Sequence, residues 1–281
     1  DWYTLGQAFV TGLKIAVSGK GGVGKTLVAG TLARLLARKG FKVLAIDADS
    51  NPNLHVTLGI RAEKLPTPVS MNEALVEEKT GARPGGWGAM FSLNPRVDDI
   101  PEKHSIMGPD GVRLLTVGAP SAGAGCMCPQ NALIRALLDH VVLERDEVVV
   151  VDTEAGLEPF SRATVRSVNL LLVVVEPTRK SLDVAIKIAS YARELGVKKI
   201  WGILNKVIDY REAEEFSRLA GESGLDIRVV IPFDPKVSAA ERTGASVFDY
   251  SENSYFILSI EKLCSDILRE FLQRIHCSTP S

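Results

Sequence analysis

Residues 19–26 read Gly19-Lys20-Gly21-Gly22-Val23-Gly24-Lys25-Thr26, and this stretch decides how the rest of the chain is read. The spacing G-x-x-x-x-G-K-[ST] puts glycines where backbone N–H groups must close around phosphate oxygens. It puts Lys25 where an ammonium reaches the β- and γ-phosphates, and the Thr26 hydroxyl where it can bind magnesium. Upstream, residues 14–17 predict a buried strand; downstream, residues 27–38 predict a helix that begins at Leu27. Bound phosphates would then lie on a helix N-terminus, where the dipole and unpaired N–H groups favour anions. A glycine-rich turn with an accidental lysine does not account for a full match in that strand–loop–helix context. The stretch implies a nucleoside triphosphate, ATP in this reading, held along Gly19 to Leu27.

Composition sets the frame around the loop. The chain has 281 residues, 46% hydrophobic and 24% charged, with a formal net charge of −1. That suits one large α/β domain with an ample core. Near-neutral charge gives no electrostatic footprint for nucleic acid or an anionic membrane. No apolar run reaches the roughly 18 residues that would span a bilayer. The four cysteines make no disulfide framework in a chain of this size, so the expected compartment is the reducing cytoplasm.

Strand-like and helix-like segments alternate, which predicts a doubly wound, mostly parallel sheet with helices on both faces. Further strands are expected at 41–46, 112–117, 147–151, 170–175, 200–204 and 228–231, with helices at 133–140, 181–195 and 212–221. The near-pure valine run at 147–151 reads as a central strand buried on both faces. At 255–275, apolar Ile257, Ile260, Leu263, Ile267, Leu268, Phe271 and Ile275 recur at helical spacing. Glu261, Asp266 and Glu270 dilute any basic face, so this stripe is expected to pack on the core rather than on a membrane. Residues 61–111, rich in proline and glycine, interrupt the rhythm and predict a functional flap or mobile insertion with one helix near 71–78.

Ligands of open α/β sheets bind beyond the carboxyl ends of the strands, and three predicted strand ends carry suitable residues. Asp47-Ala48-Asp49 fits a switch loop in which Asp49 orients the attacking water and Asp47 lies nearer the magnesium shell. Asp152-Thr153-Glu154-Ala155-Gly156 fits a magnesium-holding aspartate followed by a glycine whose N–H senses the γ-phosphate. Asn205-Lys206, helped by Ile231-Pro232-Phe233, offers amide and stem contacts to a purine ring. Each of these alone reads equally well as a turn residue; together, at the right strand ends, they favour the site.

Gly125-Cys126-Met127-Cys128-Pro129 follows the strand at 112–117 and precedes a helix. Thiols one residue apart strain a disulfide within one chain, whereas both can face a single soft cation such as nickel or zinc. Two thiolates half fill such a site, and a symmetric homodimer would supply four. The helix N-terminus would favour the thiolates. Two ordinary cysteines remain the competing reading. Cys264 reads as a small core residue and Cys277 as an inert tail thiol.

Taken together, Lys20, Asp47-x-Asp49, Cys126-x-Cys128, Asp152-x-x-x-Gly156, Glu176-Pro177 and Asn205-Lys206 resemble the CooC-type nickel-insertion ATPases of carbon monoxide dehydrogenase maturation. These belong to the deviant-Walker superfamily, marked by the early lysine, here Lys20. The resemblance covers residues 13 to about 273. It implies that Lys20 crosses a dimer interface to the partner's nucleotide, where a cation meets developing phosphoryl charge. A solvated loop lysine is the alternative. Lys20, Lys25 and Asp49 would then be catalytic, and Thr26 would join the metal shell. The implied client is carbon monoxide dehydrogenase or acetyl-CoA synthase, with no nucleic acid or membrane partner. In such ATPases the first strand opens the protein, so residues 1–12 read as an extension, an expression remnant or an over-extended gene start, ahead of one ATPase domain at 13–281. One departure is the displaced proline, Pro52, in the switch loop. A partition-type switch ATPase and an iron–sulfur carrier are the rival classes.

Overall fold

The structure, a computed structural model, describes residues 12–85, 90–118, 128–144, 147–153, 165 and 167–276. β1 (Lys14–Gly19) runs into the phosphate loop and α1 (Lys25–Arg38); β2 (Val43–Ala48) ends at the paired aspartates, and α2 (Leu54–Leu58) follows. Then come α3 (Glu73–Thr80), α4 (Ile100–His104), β3 (Ile106–Met107), β4 (Arg113–Thr116) and α5 (Cys128–Glu144). β5 (Val148–Thr153), β6 (Leu170–Val175), α6 (Arg179–Glu194), β7 (Ile200–Val207), α7 (Tyr210–Glu222) and β8 (Asp226–Pro232) complete the sheet. α8 (Pro235–Thr243), α9 (Val247–Tyr250) and α10 (Tyr255–His276) close the described chain.

The strands form one sheet in the order β3-β4-β2-β5-β1-β6-β7-β8, parallel throughout except for β3 against β4. The expected doubly wound architecture is therefore present. Every residue of β1, β2, β5 and β6 is buried, which is why these strands read as unbroken apolar runs rather than alternating ones. Successive side chains go to opposite faces. Ile15 and Val17 join the layer under α1 and α10, while Ala16 joins the layer under α5 and α6. The pairing Asp47↔Asp152, with Val17↔Asp152 on the other side, sets the two carboxylates level beside the start of the phosphate loop.

The apolar stripe of α10 packs as expected: Ile257, Ile260, Leu263, Cys264 and Ile267 are all buried in the α1 layer. The 61–111 segment departs from expectation. Val69, Val76, Val97 and Ile100 belong to the core, and the Ser70 amide donates to the Val117 carbonyl at the end of β4. The helix expected near 71–78 is α3, begun by Asn72, whose side chain accepts from the Leu75 amide at 3.1 Å. Short elements between prolines bury isolated residues, so no period builds up in the sequence. α8 and α9 were likewise not expected. Their signal was local: Asp234 caps α8 and Pro235 occupies its first turn.

Candidate nucleotide site

The phosphate loop is held from behind by the end of β7. The Asn205 side-chain amide donates to the Val23 carbonyl (2.8 Å), and Lys206 Nζ donates to the Gly22 carbonyl (2.7 Å) and to Glu176 Oε1 (2.6 Å). The Lys206 backbone amide in turn donates to Asn205 Oδ1 at 2.9 Å. The strand expected to stop at 204 thus continues to Val207, with an irregular register around Asn205-Lys206 and Lys206 in the left-handed region (φ 61). A lysine adopts that conformation only where its surroundings over-determine it, and these bonds supply the constraint. Gly24 is required twice over: its φ is +99, and a Cβ there would lie 2.5 Å from Asn205 Nδ2. Lys25 is buried and its Nζ donates to the Lys20 carbonyl at 3.3 Å, so its ammonium lies within the loop it serves.

The acidic side is arranged differently. Asp47 is buried, and its Oδ2 accepts from the Leu54 amide (2.8 Å) while Oδ1 accepts from the Asp49 amide (3.3 Å). It therefore pins both ends of the switch loop and supplies an acceptor at the start of α2, whose own N-cap residue Asn53 makes no side-chain cap bond. Asp47, expected near the magnesium shell, lies level with Asp152 in the sheet, and its oxygens also accept from backbone amides. Burial, only partly offset by those amides, pushes its carboxyl up to about 6. Asp49 is half-buried and accepts from the Asn51 amide at 2.8 Å. Asp152 is fully buried, and among the described residues neither of its carboxylate oxygens has a hydrogen-bond partner. Burial pushes it up to about 7, with Asp47 adding to the rise. Thr26 and Lys25 lie near enough to pull it back somewhat, without a well-formed hydrogen bond. An orphaned buried carboxylate beside a threonine hydroxyl is a hard-oxygen donor set that fits magnesium.

Two adjoining cavities meet over the loop. The larger, about 610 Å³, is lined by Lys25, Thr26, Asp49, Asn53, Ser246 and Val247 among others. The smaller, about 280 Å³, is lined by Asn205, Lys206, Pro232, Phe233, Val237 and Glu241. The phosphate loop and a second cavity of mixed polar and apolar lining thus lie side by side, leaving room for the two ends of a nucleotide. Glu241 and Val237 border both cavities, and sequence reading missed them because they sit on the unexpected α8.

The thiols divide. Cys128 is exposed and is the first residue of α5, while Cys126, Gly156 and Cys277 lie outside the described residues. Among the described residues no group of three or more His, Cys, Asp or Glu is placed to hold a metal ion. Cys264 is buried, and burial pushes its thiol up to about 12, which makes it an inert core residue. Among the described residues, no helix is long and apolar enough to cross a membrane.

A parallel sheet with a glycine loop, a following helix and buried acids at its carboxyl edge defines a P-loop nucleoside triphosphatase. Comparison with known proteins narrows the class. The family model of the CobQ/CobB/MinD/ParA nucleotide binding domain matches residues 14–247. The carbon monoxide dehydrogenase accessory protein CooC of Rhodospirillum rubrum is 44% identical over 242 residues, 85% of this chain and 90% of that one. An ATP-binding protein of Methanocaldococcus jannaschii is 40% identical over 260 residues, 92% of this chain and 98% of the relative. The chain belongs to the CobQ/CobB/MinD/ParA nucleotide-binding family and, within it, to the CooC-type ATPases. Among solved structures, the cell division ATPase MinD of Pyrococcus furiosus has a TM-score of 0.67 at 23% identity, covering 92% of this chain and 99% of that one. That likeness concerns the fold.

Proposed function

We propose that this ATPase is a nickel chaperone: it takes nickel as cargo and inserts it into carbon monoxide dehydrogenase or acetyl-CoA synthase. The observation that carries the reading is the 44% identity to a protein named as accessory to carbon monoxide dehydrogenase, joined to the Cys126-Met127-Cys128 sequence of this chain. Cys128, exposed at the start of α5, is accessible to a second copy. A homodimer in the cytoplasm would bring two such pairs together and complete a four-thiolate site for one soft cation. The rival carrier and positioning classes draw less support, since Cys264 is buried and the α10 stripe is committed to the core.

In this reading the phosphates lie on the Gly19–Thr26 loop, and the adenine lies against Lys206, Pro232 and Phe233. Lys25 leaves the Lys20 carbonyl for the β- and γ-phosphates. Lys20 serves the partner's nucleotide, and Asp49 orients the attacking water. Thr26 and Asp152 would hold magnesium, which supplies charge neutralisation at the phosphates. The Gly156 N–H would report the γ-phosphate to the loop beyond β5. Because nucleotide and nickel would bias one interface, their affinities must be coupled reciprocally.

Nickel titration of the purified protein, with and without ATP, tests the proposal. The wild type should bind one nickel per two chains, more tightly with ATP. The double variant Cys126→Ser with Cys128→Ser should lose nickel and keep ATP. Full-strength nickel binding by the double variant would place the metal elsewhere and end this reading of the cysteine pair.

A further inference from the structure

Arg34 lies in α1 and is only 3% exposed. Its Nε donates to Asp110 (2.6 Å), and its Nη1 donates to the Ser246 hydroxyl (3.0 Å) and reaches Asp249 (3.4 Å). The Ser246 hydroxyl donates onward to Asp249 Oδ2 at 2.8 Å. The guanidinium carbons of Arg34 and Arg38 lie 4.6 and 4.5 Å from the centre of the Phe248 ring. Arg38 also pairs with Asp110 (3.1 Å) and Glu252 (3.0 Å). Gly59, the left-handed residue that ends α2, abuts the same knot, since a Cβ there would lie 2.7 Å from Asp249 Oδ2.

The knot's place in the fold gives it a role. The larger cavity has three walls: the phosphate loop with the start of α1, the stretch through Asp49 to Thr57, and the stretch from Val237 to Val247. Arg34 belongs to the helix of the first wall, Gly59 follows the second, and Ser246 lines the third. Asp110 brings in the 61–111 segment, and it does so from a left-handed conformation (φ 57) that non-glycine residues seldom adopt. A guanidinium has a rigid planar fork, so it fixes the directions of its partners as well as their charge.

The geometry points to Arg34 as a positioning residue that sets the spacing of the cavity walls, and to Asp110 as the contact through which the 61–111 segment is coupled to nucleotide affinity. Arg34 acts through Ser246 and Val247. A partner that drew Asp110 away from the arginines would loosen the cavity, and bound nucleotide would oppose that partner by the same factor. The inference rests on assigning this cavity to the nucleotide. Lys25→Ala checks that assignment separately: it should weaken ADP at least about tenfold through loss of a charge-assisted contact, whatever Arg34 does.

The experiment measures the dissociation constant of magnesium-ADP by calorimetry on the full chain. Asp110→Asn removes the charge that joins the segment to the arginines. Gly59→Ala and Gly81→Ala form a matched pair: both glycines end helices with positive φ, +76 and +82, but a Cβ at Gly81 meets nothing within 4 Å. Both alanines strain the backbone, and only the first displaces Asp249. Asp110→Asn and Gly59→Ala should each weaken ADP about fivefold or more, while Gly81→Ala lowers the melting temperature and binds ADP as the wild type does. Wild-type affinity in either of the first two, or equal weakening in Gly81→Ala, overturns the inference.

Discussion

The two halves of the nucleotide site are built in opposite ways. On the β1 and β7 side, every named group is satisfied: Asn205 and Lys206 close on the carbonyls of Val23 and Gly22, and Lys25 closes on that of Lys20. On the β2 and β5 side, Asp152 is buried with both oxygens unpaired among the described residues, and the carboxyl of Asp47 beside it is raised as well. The loop backbone is braced in advance for phosphate, and only the Lys25 ammonium would have to exchange the Lys20 carbonyl for a ligand oxygen. The acidic half is left in a high-energy state that the proposed magnesium would relieve, so that stability lost there would return as affinity for a metal–nucleotide complex.

Replacing Asp152 should break this contrast most sharply. Asp152→Asn should cut phosphate release by about 10²-fold or more, and yet at pH 8, where Asp152 is ionised, stabilise the ligand-free protein by about 1–3 kcal/mol, because an unpaired buried charge is removed. Thermal melts with and without magnesium-ADP would show a raised ligand-free midpoint and a smaller shift on adding ligand. A lowered ligand-free midpoint would contradict the orphaned state of Asp152.

Titration separates the halves next. The carboxyls of Asp47 and Asp152 stand at about 6 and about 7, above the ordinary value of 3.8. Such groups favour the folded state while protonated, so their contribution is whole below about pH 4 and is lost as pH rises through 6 and 7. Unfolding by urea at pH 5 and pH 8, without magnesium, should show a loss on the order of a few kcal/mol from this pair. His55, lowered by burial, works in the opposite direction. The difference between wild type and Asp152→Asn therefore isolates the Asp152 share, and identical pH slopes in the two proteins would exclude it.

The smallest effect belongs to the braced side. Asn205→Ala removes the donor to Val23 and leaves a buried carbonyl unpaired, at about 1–2 kcal/mol. It should destabilise the free protein where Asp152→Asn stabilises it. Denaturant midpoints of the two variants moving in the same direction would erase the contrast.

The phosphate loop, the parallel sheet and the strand-end acids were legible because each is a local pattern: a fixed spacing, a valine run, a polar residue ending an apolar one. What each acid does was not. Asp47 reads as a magnesium neighbour, but its bond to the Leu54 amide, which ties down the switch loop, has no sequence signal. Asn205 reads as a base contact and does line the smaller cavity, but its second task, bracing Val23 from 182 positions away in the chain, could not be read. α8 carries two capping signals in Asp234-Pro235, yet its polar nine residues present no apolar period to announce it, and Glu241 was missed with it.

β3 has a consequence for how the molecule behaves when crowded. Its two residues, Ile106 and Met107, run against the direction of every other strand. A flank that ends in so short a reversed piece offers a neighbouring copy almost no ladder to extend. On that side the sheet cannot readily template its own growth into fibres.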